Sequence, residues 1–176
     1  MPPSRKSLAT PRNSTAKIPQ KIGLISDTHG LLRDEALQAL RGSDLIIHAG
    51  DIGDPKILEA LGKLAPTVAV RGNVDTAAWA KSLPETAVAE AGSMHIYVLH
   101  DVKALDLDPN AAGFHIVVSG HSHKPASSER NGVVYINPGS AGPRRFNLPI
   151  TIARLDFSVT PCSVEFVDLE KGRTVK

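Results

Sequence analysis

Seven residues of this 176-residue chain have the types and spacing of a divalent metal site: Asp27 and His29, Asp51, Asn73, His100, and His121 with His123. A set that mixes carboxylate, imidazole and amide oxygen suits intermediate ions such as Mn, Fe, Zn or Ni, whereas a magnesium or calcium cage uses oxygen almost alone. Residues two apart, Asp27/His29 and His121/His123, project the same way from an extended segment, so each pair can reach one ion or cluster. Glycines stand beside the ligands at Gly50, Gly72 and Gly120, where tight turns are expected. Seven ligands are too many for one tetrahedral zinc. They suit two ions that share a bridging carboxylate.

Each fragment alone is ordinary. Asp27-Thr28-His29 reads equally well as a turn whose Asp caps a helix, and Gly-Asp or Gly-Asn is common turn chemistry. What changes the reading is position. Lys21–Ser26, Leu45–Ala49 and Thr67–Val70 read as buried strands, separated by helices over Asp34–Leu40 and Lys56–Leu64, the second with Pro55 at its start. Three strands with two crossover helices imply a parallel α/β sheet. Thr86–Glu90 and Met94–Leu99 form a hairpin pattern, and Phe114–Ser119 reads as another buried strand. Ser127–Arg130 and Val133–Ile136 flank Asn131-Gly132, a strong hairpin signal, and Thr151–Asp156 with Ser163–Asp168 completes an antiparallel pair. The sum is two mixed sheets, with helices on their outer faces. All five polar clusters follow the carboxyl end of a strand, where open α/β sheets bind ligands.

Composition bounds the rest. Length and a 41% hydrophobic fraction suit one domain. Residues 1–20 hold four prolines, four basic residues and no acid, and read as a disordered basic tail ahead of a domain over 21–176. Removing those four bases from twenty leaves sixteen against eighteen acids, so the net charge of +2 hides a mildly acidic domain. One cysteine excludes an internal disulfide and fits a cytoplasmic protein, and no apolar run is long enough to span a membrane.

The order D-x-H, GD, GN-x-D, H, GH-x-H, with Asn137-Pro138-Gly139-Ser140 after it, resembles the calcineurin-like metallophosphoesterase superfamily. The resemblance is to its small prokaryotic phosphodiesterase branch, related to the retromer cargo-sorting subunit, and it runs from Lys21 to Phe166. It implies a four-layer αββα sandwich of two mixed β-sheets flanked by helices, holding two divalent ions, Mn first among the candidates. Carried over residue by residue, it places Asp27, His29, Asp51 and His123 around one ion. Asp51, Asn73, His100 and His121 surround the other, with Asp51 bridging. A hydroxide held between such ions attacks phosphorus in line. Asp51 and Asn73 are therefore the expected catalytic residues, Asn73 also donating its NH₂ to a phosphoryl oxygen.

Two departures matter. The family's strong phosphatases carry His where this chain has Val74, and the lost general acid weakens turnover of esters with poor leaving groups by ~10²–10⁴-fold. Phosphodiesters and activated aryl phosphates are the expected substrates. The family more often has Gly where this chain has Asp101, a carboxylate able to orient a ligand imidazole or simply face solvent. His48, inside the second strand, reads as a hydrogen-bonded core or supporting histidine. Asp75 is a candidate support or substrate contact. Arg144 and Arg145 are candidate grips for a second phosphate or nucleotide tail, or solvated loop arginines. The expected partner is a small phosphodiester or nucleotide-like substrate, with a homo-oligomer left open. Nucleic acid is disfavoured, because the domain lacks a basic run and its aromatics fall mostly in strands. The rival reading is an inactive protein-interaction scaffold of the same fold.

Overall fold

The structure, a computed structural model, describes residues 18–175. The tail expected over 1–20 therefore lies almost wholly outside the described residues. Gln20, at its end, is tied to the domain: its amide donates to Asp44 and its carbonyl accepts from the Phe157 amide.

Two mixed sheets pack face to face. The first has strands β1 (Lys21–Ile25), β2 (Leu45–His48), β3 (Thr67–Ala69), β9 (Thr151–Asp156), β10 (Ser163–Asp168) and β11 (Arg173–Val175) in the order β11-β10-β9-β1-β2-β3. Strands β1, β2 and β3 are parallel and the other three join them antiparallel. The second sheet has β4 (Thr86–Ala91), β5 (Met94–Leu99), β6 (Ile116–Val118), β7 (Ala126–Arg130) and β8 (Val133–Asn137) in the order β4-β5-β6-β8-β7, with β5, β6 and β8 parallel.

The central strands β1 and β2 of the first sheet are apolar on both faces because both faces are covered. Ile22, Leu24, Leu45 and Ile47 meet Ile96, Val98, Ile116 and Val118 of the second sheet in the central core. Ile25, Ile46 and Ile152 face the other way, against Ala36 and Leu40 of α1 (Asp34–Leu40) and Ile57 and Leu61 of α2 (Pro55–Gly62). Helix α2 starts where Pro55 cannot donate and the Asp54 carboxylate accepts from the Lys56 amide.

The outer face of the second sheet is closed largely by irregular backbone. Tyr97, Leu99, Val117 and Val133 are covered by Leu105, Leu107 and Phe114, which lie on a segment holding only a short 3₁₀ turn at Val102–Ala104. That segment carries Pro109 and Gly113, which cannot sustain a helix, yet its apolar residues still close the core.

Leu24 is fully buried between the sheets, and truncating it leaves a cavity that strand pairing does not allow to collapse. Leu24→Ala is expected to cost about 2–5 kcal/mol in unfolding free energy, measured by denaturant titration.

Candidate metal centre

Strands from both sheets end together. The Asp27 amide donates to Gly50 O, the His29 amide to Asp51 O, the Gly120 amide to His100 O and the Ala141 amide to Ser26 O, so the loops after β1, β2, β5, β6 and β8 are bonded into one surface. Five candidate ligands meet on it. His123 Nε2 lies 3.2 Å from Asp27 Oδ1 and 3.3 Å from His29 Nε2, and His29 Nε2 lies 3.8 Å from Asp51 Oδ2. His100 Nε2 lies 3.3 Å from Asp51 Oδ2. Two groups are close enough to hold an ion: Asp27 with His29 and His123, and Asp27 with Asp51 and His100. His121 is half exposed with its ring 5.3 Å from that of His100, and Asn73 is exposed on a cavity of about 400 Å³ that His100 and Asp101 also line.

The backbone is bent to make this convergence possible. Asp27, His29, Asp51, His121 and His123 all have positive φ, between 47° and 67°, a region that L residues occupy only when their surroundings force them. Spacing by two along an extended segment, the expectation from sequence, is therefore replaced by single left-handed residues that swing each side chain inward. The glycines differ as well. Gly72 and Gly120 do not have positive φ; they make room, since a Cβ on Gly72 would lie 2.2 Å from the Asp51 amide nitrogen and one on Gly120 would lie 2.6 Å from Asp27 Oδ2.

Several buried polar atoms at the centre are left without a partner. Among the described residues, Asp27 Oδ1, His100 Nε2 and His123 Nδ1 lack a hydrogen-bond partner. His100 donates from Nδ1 to the Ala49 carbonyl at 2.7 Å, which leaves Nε2 as a lone pair aimed at a carboxylate. Asp27 Oδ2 is already used, accepting from the Ser26 hydroxyl at 2.6 Å and the His121 amide at 3.1 Å. Lone pairs facing one another in a buried site fit a cation.

Titration behaviour agrees. Burial pushes the Asp27 carboxyl up, against the Ser26 hydrogen bond and the nearby imidazoles. Burial also pushes His123 down, helped by the Arg145 and His29 charges. Asp51 resists burial and is held down to about 2 by His100 and the Val74 amide. The His100 imidazole is raised despite burial, through the adjacent Asp51 carboxylate and the bond to Ala49 O. Protons and metal ions compete for the same lone pairs here.

The supporting residues divide clearly. His48 is fully buried and makes no approach to the centre: its Nδ1 accepts from the Gly50 amide, its Nε2 bonds Thr28 Oγ1, and Thr28 donates to Ile52 O. Burial pushes its pKa down to about 3, so it stays neutral and holds two ligand loops together. Asp75 accepts from the amides of Ile52, Gly53 and Gly72, which ties the Asp51 loop to the Asn73 loop. Asp101 accepts from the Lys103 amide and lies 3.8 Å from His121. Arg144 is paired with Glu170 and the Leu148 carbonyl, so of the two arginines only Arg145 is left near the site. Ser26, Thr28 and Asn137 were not singled out from sequence as individual supports. Asn137 donates to Gly120 O and Ser122 Oγ and so fixes the His121–His123 loop; its signal was the Asn-Pro-Gly-Ser run.

The strand ends of both sheets thus present a cluster of carboxylates and imidazoles able to hold a metal ion. Residues 21–160 match the calcineurin-like phosphoesterase superfamily domain, and the chain belongs to that family. A probable metallophosphoesterase of Methanothermobacter thermautotrophicus is 32% identical over 148 residues, covering 77% of this chain and 86% of the relative. Phosphodiesterase YfcE of Escherichia coli is 26% identical over 169 residues, covering 79% and 89%. Among solved structures, Vps29 of Entamoeba histolytica complexed with zinc has a TM-score of 0.70 at 23% identity, covering 88% of this chain and 96% of its own, a likeness of fold.

Gly72→Ala should push Asp51 out of place and lower divalent-metal affinity about 10–100-fold with the fold retained, as read by Mn²⁺ titration beside circular dichroism. His48 gives a pH signature. Its folded pKa of about 3 lies below the ordinary 6.5, so the unfolded chain binds the extra proton between those values. Its contribution is complete above pH ~6.5 and shrinks as pH falls toward 3, by up to ~1.4 kcal/mol per unit. In chelator-treated protein, the stability of His48→Gln should fall less steeply than that of wild type between pH 7 and 5. Parallel slopes would assign the effect elsewhere.

Proposed function

We propose that this protein hydrolyses phosphodiester bonds with two divalent ions, Mn among the first candidates, held by Asp27, His29, Asp51, Asn73, His100, His121 and His123. The observation that carries this reading is the set of buried, unpartnered lone pairs on Asp27 and His100 beside Asp51. Such ions, when bound, lower the pKa of water and neutralise charge on phosphoryl oxygens.

The chain's own residues do the positioning. The Val74 amide holds Asp51 Oδ1 at 3.0 Å, which turns Oδ2 toward His29 and His100 and suits Asp51 to bridge. The Ala49 carbonyl fixes which nitrogen of His100 is free. Asn73, at the cavity edge, has an NH₂ able to donate to a phosphoryl oxygen. Val74 is exposed beside it and offers no proton to a departing alcohol, which favours esters whose leaving group is already acidic.

The scaffold reading keeps one argument, the likeness of fold to Vps29. Because that relative was solved with zinc, metal binding does not separate the two readings, whereas turnover does. With added Mn²⁺, wild type is expected to hydrolyse bis(4-nitrophenyl) phosphate, and Asp51→Asn and Asn73→Ala to lose about 100-fold or more in kcat/KM. Equal inertness of all three across Mn²⁺, Zn²⁺, Ni²⁺ and Fe²⁺ would leave the scaffold.

A further inference from the structure

Seven non-glycine residues have positive φ among the described residues, and six are accounted for. Five are candidate ligands, and Asn131 opens the Asn131-Gly132 hairpin turn, where such a φ is normal. The seventh is Phe146, at φ 52°. A bulky residue in this region is an outlier that persists only if its surroundings impose it. Packing does not explain it, since Phe146 is 89% exposed, more than any other large apolar residue described.

The loop that carries it is braced against the metal centre. The Ser140 hydroxyl donates to Asp27 O, and Arg33 donates to Gly142 O. Gly142 lies so close to the first ligand loop that a Cβ there would be 2.4 Å from Thr28 O. Further on, Arg144 is paired with Glu170, and the Leu148 amide donates to Arg145 O, closing a turn around Phe146. The Arg145 guanidinium has no hydrogen bond or ion pair among the described residues and lies within electrostatic reach of His123. A free cation and an exposed ring are thus consecutive residues on a loop braced against the Asp27–Thr28 segment of the centre. Three other exposed large apolar residues, Leu31, Val74 and Val102, each follow a candidate ligand by one or two residues.

We propose that Arg145 and Phe146 form a subsite for a planar aromatic group on the ester that stays on phosphorus, Arg145 attracting the anionic phosphate and Phe146 stacking on the ring. Asn73, Val74 and the polar cavity of about 400 Å³ adjoin the Asp51–His100 half, which is left for the departing alcohol. Stacking on an exposed ring accepts any flat π-system, so a simple aryl ester and a nucleoside share the chemistry. This subsite rests on the phosphodiesterase reading given above.

The test uses three diesters with one leaving group, 4-nitrophenolate: the methyl, phenyl and thymidine-5′ esters of 4-nitrophenyl phosphate. In the Mn²⁺-loaded full chain, at least one ring-bearing ester should exceed the methyl ester in kcat/KM by about tenfold. Which ring ester leads distinguishes a nucleotide from a simple aryl substrate. The preference should fall to near one in Phe146→Ala and persist in Phe146→Tyr. Phe146→Gly should also lose it while raising the melting temperature, because glycine accepts the left-handed backbone. Calorimetric binding of phenylphosphonate against methylphosphonate reads the subsite without turnover. If no diester is hydrolysed under any metal, the phosphodiesterase reading fails and this binding ratio alone decides the subsite. Equal use of methyl and ring esters by wild type, a preference that survives in Phe146→Ala, or phenylphosphonate bound no more tightly than methylphosphonate would overturn it. So would a concentration-dependent dimer lost in Phe146→Ala, which would make the ring an interface instead.

Discussion

Two buried carboxylates and the imidazoles pressed against them set the terms for the whole molecule. Asp27, Asp51, His100 and His123 are all nearly inaccessible to water, and their facing atoms include lone pairs with nothing to share. Without a compensating charge, such a cluster is costly to assemble. The protein holds it together by force applied from outside the cluster: left-handed backbone at five ligands, amides clamped by Asp75, a hydroxyl from Ser26 on Asp27, and a neutral histidine chain through His48 and Thr28. These devices have in common that they leave one face of each ligand unused. That shared direction is what a receptor for cations requires, where a random burial of the same residues would only destabilise.

The same constraint explains what the strands are for. Runs such as Lys21–Ile25 and Leu45–His48 are apolar on both faces and rigidly paired, so the bends that follow them start from fixed points. A loop supported in this way can carry several left-handed residues in succession without relaxing to an extended form. The strain at the centre is thus supported by hydrophobic burial a few residues away.

Most of this organisation was legible in the sequence. Buried strands announce themselves by unbroken Ile, Leu and Val, and their observed limits differ from the expected ones by one or two residues, as at Leu45–His48 and Ile116–Val118. Elements with little apolar content were missed: β11 is a three-residue edge strand of Arg, Thr and Val, and the 3₁₀ turn at Ala78–Ser82 has no helical period. Over the second sheet, irregular backbone buries Leu105, Leu107 and Phe114 as well as a helix can, and such a segment has no period to read. At the site, residue types picked out the candidate ligands, but the part each plays depends on geometry. Asp75 and Asn73 share one short motif, yet one is consumed by backbone amides and the other lines the cavity. Arg144 and Arg145 are neighbours, and only a glutamate 26 residues further along tells them apart.

The joining of strand ends from two sheets has a consequence for how the molecule comes into being. His29 and His123 stand 3.3 Å apart in space and 94 residues apart in the chain, and the first three strands alone contribute neither His100 nor His123. Contacts of such long sequence separation close late, after much chain entropy has been lost. No partial structure can present the complete set of ligands. Uptake of the ion is therefore a report that both sheets have docked, and an ion bound only by the finished domain lends its binding energy to that domain alone.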